Sequence, residues 1–249
     1  MLSLEDLKAL AHPADTKIVL FVLDGLGGLA RKGESQTELE AARTPNLDRL
    51  AGEGNLGLAD PVAPGITPGS GPGHLGLFGY DPLQYRIGRG VLEAVGIDLE
   101  MTERDLAARG NFCSVDAHGL ITDRRAGRIP TEVCAQLTLL LEKIGIPGLE
   151  VIVRPVREHR FVVLFRGEGL EEGLSETDPQ ETGKPPLPVR AEVFAAKKAA
   201  GVANQFVSEA RRVLSSEHPA NMVLLRGFSK YPACRSSPKS MACGRRSSR

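Results

Sequence analysis

Lys17-Ile-Val-Leu-Phe-Val-Leu23 runs straight into Asp24-Gly-Leu-Gly-Gly28. A continuous apolar run this rich in β-branched residues predicts a strand covered on both faces, as in a parallel sheet flanked by helices. In open sheets of that kind ligands collect beyond the carboxyl ends of the strands, and Asp24 falls at such an end. A carboxylate there suits a divalent cation, which prefers hard oxygen ligands. The plainer reading is an Asx-type turn that stops the strand. Gly25-x-Gly27-x-x-Ala30 also fits the loose dinucleotide fingerprint. That fingerprint needs a helix, a second strand and an acidic residue about 20 positions on. Here 30–42 is mostly polar and no apolar strand follows it, so the context argues against it.

A second segment, Pro64-Gly-Ile-Thr-Pro-Gly-Ser-Gly-Pro-Gly-His74, holds seven Gly or Pro among its eleven residues. Pro removes backbone donors and Gly adds conformational freedom, so the stretch is expected to be a loop. Ser70, between Gly69 and Gly71, presents a hydroxyl that no neighbouring Cβ crowds. By itself such a serine is a turn residue. His74 is expected to open the helix that follows. Upstream, Thr44-Pro-Asn-Leu-Asp-Arg-Leu-Ala51 carries a helix start, with Thr44 as N-cap, Pro45 in the first position and Asp48 in the first turn.

These three pieces, in this order, resemble the alkaline phosphatase superfamily. Within it they look most like the cofactor-independent phosphoglycerate mutases of the archaeal type, over residues from about Lys17 to about Tyr231. The resemblance implies an α/β fold: an alkaline-phosphatase-like core sheet, here incomplete, with an inserted smaller α+β domain. It implies interconversion of 3-phosphoglycerate and 2-phosphoglycerate, in glycolysis, through a phosphoserine intermediate. Two divalent ions, Mn2+ or Mg2+, would sit at the carboxyl end of the core sheet. Ser70 would be the metal-bound nucleophile, and Asp24 would ligate the same ion. The residue types agree with this chemistry. A serine hydroxyl needs a base or a metal to activate it, and two metals can hold both the attacking and the leaving oxygen of an in-line displacement. Another phosphatase or phosphonate-acting enzyme of the superfamily stays open, as does a non-catalytic module that binds phospho-acids.

From 86 to 188 the chain reads as the inserted domain. A helix is expected within 97–109, with Thr102 as N-cap, and a strand at 111–115. A second helix is expected over 131–144, and strands at 151–153 and 161–165. Basic residues group at Asp123-Arg124-Arg125 with Arg128, and at Arg154, Arg157, His159 and Arg160. Arginine captures phosphate and carboxylate bidentately, although most surface arginines are simply solvated. The resemblance marks Asp123 and Arg124, and more weakly Arg160, as substrate-binding. The polar 171–188 is a linker, 193–214 a long helix, and 221–225 a strand ended by Arg226-Gly227. Residues 189–232 are thereby expected to return to the 1–85 core sheet.

Residues 233–249 carry five basic and no acidic side chains, and the whole chain is neutral, with 31 basic and 31 acidic residues. The resemblance implies further metal ligands, two Asp and three His, beyond this point. The chain has five His, none after His218, and no acidic residue after Glu217. The expectation is a truncated product with an aberrant tail, an unformed second metal site and impaired activity. A basic tail can bind nucleic acid or membranes, but one short tail on an acidic remainder is weak evidence for either, so neither is expected as a partner; the longest apolar runs fall far short of the ~20 residues that span a membrane. No signal peptide is apparent. Cys113, Cys134, Cys234 and Cys243 form no CxxC pair, which argues against a disulfide framework or structural zinc site and suggests a cytoplasmic protein; the small-molecule substrate is what the resemblance implies. Oligomeric state is not legible.

Overall fold

The computed structural model describes residues 6, 9–23, 26–66, 68–83, 85 and 87–231, with Ser70 described by its backbone alone. The described residues form a mixed α/β structure in two units, 1–85 and 86–249. No helix among them is long and apolar enough to cross a membrane. The tail at 233–249 lies outside the described residues.

In the first unit, α1 (Glu38–Ala41) opens with a capping box, Thr37 and Glu40 each satisfying the other's backbone N–H. Helix α2 (Pro45–Glu53) starts as its sequence predicts, with Pro45 in the first position. The Thr44 hydroxyl, however, donates to the Asp48 carboxylate 2.9 Å away and does not cap the backbone. Helix α3 (Ser70–Leu77) begins inside the segment expected to be all loop. Pro72 is tolerated because it falls in the first turn, where a backbone N–H has no helical acceptor. His74 therefore lies within this helix and does not open it.

The strand expected over 17–23 does not form. Ile18 is 96 % exposed and Phe21 76 %. A strand needs a neighbour for its N–H and C=O groups and cover for its apolar faces. Among the described residues the first unit has no other strand to supply either.

The second unit is built on β1 (Asp105–Val115), which pairs antiparallel with β2 (Ile121–Asp123), β4 (Arg160–Arg166) and β5 (Met222–Lys230). Strand β3 (Glu150–Arg157) pairs with β4. One face packs on α5 (Thr131–Leu141) and α6 (Lys197–Val213), through Phe112, Phe161, Phe165 and Phe206. The opposite face carries α4 (Arg89–Gly96), with Val91 and Ala94 against Ala107, Val162 and Leu164.

Two differences from the sequence reading matter for the site. Residues 105–109, expected to be helical, are strand. Thr102 and Asp105 make a local turn, Thr102 N–H donating to Asp105 at 2.6 Å, and pairing along both edges of β1 overrides the helical preference of Ala107 and Ala108. In addition, 197–230, expected to rejoin the core sheet, packs in the second unit: β5 runs on past Gly227 and pairs with β1 from Cys113 to Leu106.

Helix α4 sits directly on β1 because Gly90 has no side chain. A Cβ there would lie 2.4 Å from the Ala107 carbonyl oxygen. Gly90→Ala should therefore destabilise the chain by about 1–3 kcal/mol, the usual range for overpacking, read as a lower denaturant midpoint. An unchanged midpoint would mean that α4 is not seated on β1.

Candidate anion-binding site

Alternation along a strand puts Arg109 and Asn111 of β1 on one face of the sheet. The register sets Arg226 of β5 opposite Arg109, and Arg160 of β4 opposite Asn111. Arg89 approaches from the start of α4, and Arg124, Arg125 and Arg128 come from the turn after β2. With His159 these side chains line one cavity of about 310 Å³. That is at the small end for ligand pockets.

The charges do not balance. Arg109 Nε lies 3.2 Å from Glu93. Arg124 grips Asp178 with two hydrogen bonds of 2.9 and 2.7 Å. Arg226 reaches Glu176 at 2.9 Å and Asp178 at 3.4 Å. Seven guanidinium groups thus face three carboxylates. Among the described residues Arg89, Arg125, Arg128 and Arg160 have no acidic partner within 4.0 Å, leaving four positive charges unmatched.

Buried polar atoms without protein partners gather in the same place: Arg109 Nε, which is near Glu93 but misaligned for a hydrogen bond, Arg160 Nε, Asn111 Oδ1 and His159 Nδ1. Such atoms are rare in folded proteins, and four around one cavity leave polar groups there free to bond water or a ligand. Burial, and then the adjacent Arg160 charge, push the His159 imidazole down to about 4, Glu158 opposing only in part. His159 is therefore neutral at neutral pH. Burial likewise lowers Arg109, with Glu93 opposing. For Asp178, burial acts to raise the carboxyl, but the Arg124 fork, the Gln180 N–H and Arg226 outweigh it and hold it below the usual range.

The turn after β2 has unusual geometry. Ala126, Gly127 and Arg128 all have positive φ, at 46°, 63° and 55°. For the two non-glycine residues this costs roughly 1–2 kcal/mol each. Asp123 opposes the strain. One of its carboxylate oxygens accepts the Arg125 N–H at 2.8 Å and the other the Gly127 N–H at 2.6 Å. Hydrogen bonds to a charged group contribute about 1.5–3 kcal/mol each, enough to offset the strain, and the buried methyl of Ala126 anchors the same turn in the core.

Of the substrate-binding residues expected from sequence, Arg124 and Arg160 line the cavity, whereas Asp123 spends both oxygens on the backbone of its own turn. Arg154 instead pairs with Glu142. Asp24 lies outside the described residues, and Ser70 is placed only as the first residue of α3. Among the described residues no three His, Cys, Asp or Glu side chains come together as a metal cage. Sequence reasoning missed Arg89, Arg109, Asn111 and Arg226. A strand reading of 105–115 would have put Arg109 and Asn111 on one face, and Arg226 was taken as a strand end.

Comparison with known proteins identifies the family. The family model for 2,3-bisphosphoglycerate-independent phosphoglycerate mutase matches residues 51–221. A probable 2,3-bisphosphoglycerate-independent phosphoglycerate mutase of Thermus thermophilus is 50% identical over 231 residues, covering 91% of this chain and 56% of the relative. One from Aquifex aeolicus is 50% identical over 226 residues, covering 87% and 55%. The chain thus spans about half the length of the curated relatives it matches. Among solved structures, the cofactor-independent phosphoglycerate mutase of Thermoplasma acidophilum is similar with a TM-score of 0.56 at 32% identity, over 64% of this chain and 46% of that one.

His159 gives the site a pH signature. Its ordinary value is 6.5 and its folded value about 4, so as pH falls through this window the unfolded chain binds the proton first and folding stability declines. The stability is fully present above pH 6.5. Denaturation at pH 7, 5.5 and 4.5 should show a decline that is shallower in His159→Gln. An equal slope in both proteins would contradict the assignment.

Proposed function

Because the chain belongs to the 2,3-bisphosphoglycerate-independent phosphoglycerate mutase family, we propose that its arginine basin holds the anionic groups of phosphoglycerate during interconversion of the 3- and 2-phospho isomers. The observation that carries this reading is the set of four guanidinium groups around one small cavity with no acidic partner within 4.0 Å among the described residues. A phosphoglycerate carries a phosphate and a carboxylate, both of which arginine binds through paired N–H donors. Arg160, with a buried Nε that no protein group accepts from, is a principal contact, and Arg124, braced by Asp178, is a second.

In the proposed reaction Ser70 is the phosphoryl acceptor. The phosphorus–oxygen bond to one glycerate hydroxyl breaks as a bond to Ser70 Oγ forms, and the reverse step returns the phosphoryl group to the other hydroxyl. Each oxygen exchanges a proton for a phosphoryl group, so the overall change is an isomerisation. Two divalent ions, Mn2+ or Mg2+, would supply charge neutralisation and nucleophile activation, with Asp24 as a ligand. The described residues offer no trio of ligands for them. A cytoplasmic location follows from the same reading.

A second reading, a metal-free module that binds phospho-acids, shares the basin, whose arginines all lie within the 86–249 unit. Turnover separates the two. A coupled assay of the full chain with Mn2+ that shows mutase activity abolished by Ser70→Ala supports the enzyme, and metal-independent binding unaffected by Ser70→Ala without turnover supports the module.

Binding tests the common ground. Calorimetry with 3-phosphoglycerate should give a single saturable site, weakened about ten- to hundredfold by Arg160→Ala, the loss expected for one charge-assisted contact. Equal affinity in the two proteins would remove Arg160 from the site.

A further inference from the structure

Asp123 stands beside the basin but does not line it. Its two carboxylate oxygens are engaged by the N–H groups of Arg125 and Gly127 at 2.8 and 2.6 Å. The Arg128 N–H in turn donates to the Arg125 carbonyl at 2.8 Å. Between them the chain takes three successive left-handed residues, Ala126 to Arg128. This path lets one short turn send Arg124, Arg125 and Arg128 into the same cavity.

We infer that Asp123 is a positioning residue: it fixes the left-handed turn that aims Arg125 and Arg128 at the bound anion and does not itself touch that anion. The inference rests on the reading of the basin as an anion site. Both carboxylate oxygens already accept hydrogen bonds, and a carboxylate facing a phosphate would repel it. Asp123 therefore acts on the ligand through the arginines of its turn. Gly127 has the complementary part. It is exposed, with only Pro219 Cγ at 3.8 Å from where a Cβ would be. Its φ of 63° is a conformation that a β-branched side chain resists.

A double-mutant cycle on the full chain tests this, with 3-phosphoglycerate affinity measured by calorimetry for wild type, Asp123→Ala, Arg128→Ala and the double variant. If Asp123 works through Arg128, Asp123→Ala should weaken binding by about tenfold or more, and the double variant should lose much less than the product of the two single losses. Gly127→Val, which alters the turn without removing a charge or crowding a neighbour, should weaken binding similarly. Thermal midpoints within a few degrees of wild type would show that the variants are folded. Losses that multiply in the double variant would mean that Asp123 contacts the ligand independently, and overturn the inference. So would wild-type affinity in Asp123→Ala or Gly127→Val. A wild-type chain that fails to bind 3-phosphoglycerate would instead overturn the anion-site reading, and the inference with it.

Discussion

Mutual repulsion among guanidinium groups is the constraint around which the second unit is organised. At an effective dielectric of about 20, two unit charges 5 Å apart repel by roughly 3 kcal/mol. Arg109 and Arg226 are direct cross-strand partners, and Arg160 lies one strand away on the same face. Glu93 from α4, and Glu176 and Asp178 from the 171–188 segment, relieve the nearest of these contacts. They do not relieve all of them. Burial first, and then the neighbouring positive charge, keeps His159 neutral and holds Arg109 below its usual value. An anion entering the cavity would recover electrostatic energy that folding alone leaves unspent.

A cluster of like charges persists only on a rigid support. That support is the opposite face of the same sheet, where Phe112 and Phe161 pack with ring centres 4.8 Å apart, and Phe165 and Phe206 at 5.4 Å. Gly110 admits the Phe161 ring, which a Cβ would meet at 2.2 Å. At the far end of β1, buried Asp105 is held by a two-bond fork from Arg166 at 2.7 and 2.9 Å. One strand thus carries an apolar core on one side and the cationic floor on the other. Gly90 and Gly227 let the start of α4 sit close enough for Arg89 to close the rim.

Local signals were legible in the sequence where they were self-contained. The start of α2 at Pro45, the α5 and α6 periodicities and the β3 and β4 apolar runs all depend on residues adjacent in the chain. The errors fall where distant pairing decides. Residues 105–109 read as helix because Thr102 and Asp105 do make a cap-like turn; β4 and β5, some 50 to 120 residues on, make them a strand. Arg109, Asn111 and Arg226 were invisible as a group for the same reason, since only the register unites them. The apolar run 17–23 has strand chemistry but no described neighbour to pair with. Asp123 and Arg124 were found by resemblance, yet their different duties, bracing a turn and lining a cavity, appear only in the hydrogen bonds.

The placement of the anion is the point on which the functional reading turns. A crystal structure of the full chain with bound 3-phosphoglycerate would test it most directly. Phosphate or carboxylate oxygens should lie within hydrogen-bond distance of the guanidinium groups of Arg125, Arg128 and Arg160. A ligand seated elsewhere, with those three groups still free, would contradict it.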